Sequence, residues 1–113
     1  MAEEQRTILE EIDALLAAPE SSTSELGRIE DTLTVGYAQA LTLEAEQLRL
    51  ERRLAELVTE LASGASEQRS DELASVLGRM SSTTGDLTHL RTLLGSLRER
   101  VSMLRRETAP RFP

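Results

Sequence analysis

The chain predicts an all-α fold, a long antiparallel, coiled-coil-like helical hairpin with a short N-terminal helix packed at its open end to form a local three-helix bundle. Three observations carry this expectation. Two leucine-rich stripes run in heptad step: Leu26, Ile29, Leu33, Gly36, Ala40, Leu43, Gln47, Leu50, Leu54, Leu57, Leu61, then Leu73, Val76, Met80, Thr83, Leu87, Leu90, Leu94, Leu97, Val101, Leu104. One short glycine-containing break separates them. Aromatic residues make up only 2% of the chain. Compact globular cores usually draw on more, so Leu, Ile, Val, Met and Ala must supply this one, as in bundles.

The 113 residues suit a single domain, 1–109, with 110–113 as a tail. The first helix is expected at about 2–18, where Ile8, Ile12 and Leu15 share a face with Leu9 and Leu16 beside them. Pro19 stops it. Ser22 followed by Glu25 reads as a capping box. It opens a second helix over about 23–63, which contains no proline and meets Gly64, a natural residue after a helix end. Ser66 then serves as the N-cap of a third helix, 66–108, closed by Pro110 and Pro113. The polar run Ser81–Asp86 is its weakest stretch, yet Met80, Thr83 and Leu87 keep heptad phase across it, so the helix is expected to continue.

A short connection forces the two long helices antiparallel. One register then pairs Leu57 with Leu73, Leu54 with Val76, Leu50 with Met80 and Leu26 with Leu104. It brings Gln47 and Thr83 together as a polar layer and sets small Gly36 and Ala40 against Leu94 and Leu90. Leu93 lies beside the main stripe, where the first helix can meet it.

The net charge is −7, against general nucleic-acid binding. It is unevenly spread: residues 1–62 carry 14 acidic and 5 basic side chains, and residues 63–113 carry 6 and 8. Glu25, Glu30 and Asp31 therefore meet Arg98, Arg100, Arg105 and Arg106 if the halves fold face to face. Arg49, Arg52 and Arg53 among Glu46, Glu51 and Glu56 read as i,i+4 pairs on an exposed face.

Several chemistries lack their residues. Cysteine is absent, which excludes disulfides and thiolate sites. His89 is the single histidine and falls off the apolar stripe, so neither a Glu-x-x-His metal pair nor a catalytic triad is expected. No enzyme activity, cofactor or metal is expected. No apolar run reaches membrane-spanning length and the first residues do not read as a signal peptide, so a cytoplasmic location is expected.

What the seam leaves over is informative. Leu41, Leu48, Ala55 and Ala62 repeat every seven residues on a flank of the second helix, with Tyr37 and Val58 adjoining and Leu77 on the matching flank of the third. A structural or adaptor module that packs helices is expected, self-associating through these residues into a dimer or higher oligomer, most simply a dimer with a four-helix bundle at the hairpin tip. Two rivals use other features. One is a small export or assembly chaperone holding a client's amphipathic helix on the same face. The other is a regulatory domain contacting nucleic acid, anionic membrane or an acidic partner through Arg98, Arg105 and Arg106.

Overall fold

The structure, a computed structural model, describes residues 3–17, 23–64 and 66–108. They form three helices, α1 (Glu3–Ala17), α2 (Thr23–Ser63) and α3 (Glu67–Thr108), with no strand among the described residues. The long helices pack together and α1 contacts both. α3 runs unbroken through Ser81–Asp86, because the heptad phase holds there despite the weak helix formers. Pro19 and Ser22, expected to stop one helix and cap the next, lie outside the described residues.

The α2–α3 connection is built by side-chain capping. Gly64 N–H donates to the Glu60 carbonyl at 3.1 Å. No described residue adopts a positive φ, so α2 ends without the left-handed glycine that commonly closes a helix. Instead, the Arg69 guanidinium donates to the Gly64 carbonyl at 2.9 Å and reaches that of Glu60 at 3.5 Å. Arginine side chains can bond the last carbonyls of a helix in this way. Ser66 is the N-cap of α3: its hydroxyl accepts from Arg69 N–H at 3.1 Å.

The chain divides into two compact units, Met1–Ala40 with His89–Pro113 (unit 1) and Leu41–Thr88 (unit 2). In unit 1, α1 contributes buried Ile8, Ile12 and Leu15; α2 contributes Ile29 and Ala40; α3 contributes Leu90, Leu94, Leu97, Val101 and Leu104. Full burial of each leucine- or isoleucine-sized side chain is worth about 1.5–3 kcal/mol. Gly36 is buried, and a methyl group placed on it would overlap Leu94 Cδ2. That close approach fixes the expected Gly36–Leu94 layer. Thr32 of α2 is buried too, and its hydroxyl donates to Glu11 of α1 at 3.3 Å.

In unit 2 the core cluster is Leu50, Leu57 and Val76, with Leu54, Leu73 and Met80 packed against it. These six residues are three of the pairs that the antiparallel register requires. Leu43 and Leu87 are also buried. At the polar layer the Gln47 amide donates to Thr84 at 2.9 Å, while neighbouring Thr83 is buried.

Candidate association surface

Heptad letters locate the surface. With Leu26 and Leu73 both at position a, the seam consists of a and d. Positions g and e flank the seam on its two sides, and b adjoins e. In antiparallel helices g meets g and e meets e, so the two flanks of unit 2 can be compared directly.

The g flank of unit 2 is ionic. Arg79 pairs with Glu46 at 3.0 Å, and Arg53 pairs with Glu72 at 2.7 Å across the helices. Arg53 grips Glu72 with two nitrogens, the bidentate geometry that makes arginine–carboxylate pairs directional. It also reaches Glu56 at 2.9 Å and Glu60 at 3.5 Å. The hydrogen bond from Arg53 holds the Glu72 carboxyl below its ordinary pKa, and that from Arg49 does the same for Glu46. The hydrogen bonds to Glu72 and Glu56 raise the Arg53 guanidinium further. The expected i,i+4 pairing is corrected here. Arg49–Glu46 and Arg53–Glu56 are i,i+3 pairs, and Arg53 turns to α3 because Glu72 sits opposite it at g.

The other flank of unit 2 is apolar and uncovered. At b, Leu41 is 66% exposed and Leu48 53%. At e, Val58 of α2 is 55% exposed and Leu77 of α3 48%. Ala55 and Ala62 continue the b stripe and are exposed as well. Glu44 and Glu51 punctuate it at e. The seam cannot use these residues because a and d already fill it. Tyr37, the remaining residue of the expected face, is exposed in unit 1. Val35 and Met103 of unit 1 are also exposed. Their isolation from any heptad stripe of large apolar residues hid them in the sequence.

The three arginines singled out above separate in unit 1. Arg105 pairs with Glu30 at 3.0 Å. Arg98 has no ion-pair partner among the described residues. Both line an open cleft of about 270 Å³ with Glu30, Leu33, Val101 and Ser102. Arg106 does not join them, since its Nε donates to the Ser102 carbonyl one turn back in its own helix, at 3.3 Å. Arg100, by contrast, is largely buried against Glu25 at 3.5 Å. That pair was legible only as a general attraction between the acidic start of α2 and the basic end of α3.

His89 is exposed, and no group of three or more metal-binding side chains occurs among the described residues. No helix among them is long and apolar enough to cross a membrane. In comparisons with known proteins, no family model, curated protein or solved structure matches the chain.

Proposed function

We propose that the protein is a non-enzymatic structural or adaptor module that works by helix packing and self-associates through the b and e flank of unit 2. One observation carries this reading: Leu41, Leu48, Val58 and Leu77 stay about half exposed together on one flank of unit 2, opposite the flank that the Arg53–Glu72 and Arg79–Glu46 pairs cover. Scattered exposed leucines are normal on soluble proteins. A heptad-spaced stripe backed by a matching residue on the neighbouring helix is a more specific arrangement, since it presents a continuous ridge to another helix. Burial of such a stripe against a second chain gains the apolar area that two helices alone leave in water.

The test is the double substitution Leu41→Glu with Leu48→Glu. Sedimentation velocity should show the assembly reduced to monomer, and circular dichroism should show helix content unchanged, because neither residue contributes to the seam. An assembly of unaltered mass would refute the assigned flank.

A further inference from the structure

We propose that the receiving surface for this flank is the arginine-lined cleft of unit 1 on a second copy of the chain. The inference rests on the self-association reading above and names what the exposed stripe docks into. On α2, Glu44, Leu48 and Glu51 stand at i, i+4 and i+7, so they share one face. On α3, Arg98, Ser102 and Arg105 stand at the same spacing, with Leu33 and Val101 forming the apolar part of the cleft between the two arginines. Both sets span about 10.5 Å along their helices at ~1.5 Å per residue. When the partner's α2 lies parallel to α3, Glu44 of the partner subunit meets Arg98, Leu48 of the partner subunit enters the cleft over Leu33 and Val101, and Glu51 of the partner subunit meets Arg105.

Charge supports a second copy as the occupant. Glu51 and Arg98 are both exposed and have no ion-pair partner among the described residues. Each supplies what the other lacks. Arg105 already holds Glu30, and a guanidinium fork has donors for a second carboxylate. A polyphosphate is a poorer fit, because the Glu30 carboxylate stands in the cleft and the whole chain carries −7. Each copy offers both the acidic leucine face and the cleft, so every copy can give and receive this contact.

Two charge-reversed proteins test this. One carries Arg98→Glu with Arg105→Glu, the other Glu44→Arg with Glu51→Arg. Each alone should dissociate at least about tenfold more readily than the unsubstituted chain, because several attractive pairs become repulsive. Mixed in equal amounts, they should assemble with each other, since both half-contacts are then complementary again. Arg98→Glu alone keeps the Arg105–Glu30 pair and should weaken assembly in the same direction. Circular dichroism confirms that each variant is folded. If the unsubstituted chain assembles and the reversed proteins assemble equally well alone, the cleft is not the receiver, although self-association stands. If they dissociate and mixing fails to restore assembly, the assigned pairing is wrong. If the unsubstituted chain is monomeric throughout, both this inference and the reading it rests on fall.

Discussion

The g positions have opposite fates in the two units. In unit 1, Glu25 and Thr32 are buried, and Thr32 bonds to Glu11 of α1. In unit 2, Glu46, Arg53, Glu72 and Arg79 occupy the same heptad position at the surface and pair across the helices. The difference is a third helix. Among the described residues, Ile12, Ile29, Leu90, Leu94 and Leu97 of unit 1 are fully buried large side chains, whereas Leu57 alone reaches that state in unit 2. Two helices enclose one seam, and residues beyond it remain wet unless another element arrives. α1 is that element in unit 1. In unit 2, Leu41, Leu48, Val58 and Leu77 have no such cover within the chain.

Core truncations should separate the units most strongly. Leu97→Ala or Ile12→Ala in unit 1 should cost about 2–5 kcal/mol in urea titrations. Leu54→Ala in unit 2 should cost less, because Leu54 is already partly exposed and its loss leaves a smaller enclosed void. Equal costs would erase the contrast. Glycines sharpen it next. Gly36→Leu should destabilise by about 1–3 kcal/mol, since Leu94 occupies the space and is itself buried. Gly78→Ala and Gly85→Ala in unit 2 meet no atoms and should each stabilise by roughly 1 kcal/mol through helix propensity.

The smallest effect is electrostatic. Glu46 and Glu72 have lowered pKa values because arginines bond their carboxylates. Their contribution is therefore present above the ordinary glutamate value of about 4.3 and is lost as pH falls through the lowered ones. Arg53→Ala removes the main cause at Glu72. The melting temperature of that variant should fall less between pH 5 and pH 2–3 than that of the unsubstituted chain. A parallel decline in both would show that the Arg53–Glu72 pair adds nothing.

The seam was legible because a heptad pattern is a property of the sequence alone. It located the Leu50, Leu54, Leu57, Leu73, Val76 and Met80 cluster, the Gly36–Leu94 approach and the Ser66 cap. The Arg69 cap on Gly64 was not legible, since a long arginine can reach several carbonyls and only the folded connection selects one. Nor was the turn of Arg53 toward Glu72, because local glutamates at i,i+3 and i,i+4 offered nearer partners on paper. Gln47 bonding to Thr84 rather than Thr83 has the same origin: the register sets the layer, while side-chain reach sets the bond. The exposed stripe was visible as residues left over from the seam. The arginine cleft appeared only when α2 supplied Glu30 and Leu33 to the wall carrying Arg98 and Arg105.

The most direct test of self-association is sedimentation velocity on the unsubstituted chain from low- to high-micromolar concentration. The mass should rise with concentration toward twice the 12.5 kDa of one chain or beyond. A single 12.5 kDa species across the whole range, with Leu41 and Leu48 in water, would contradict it.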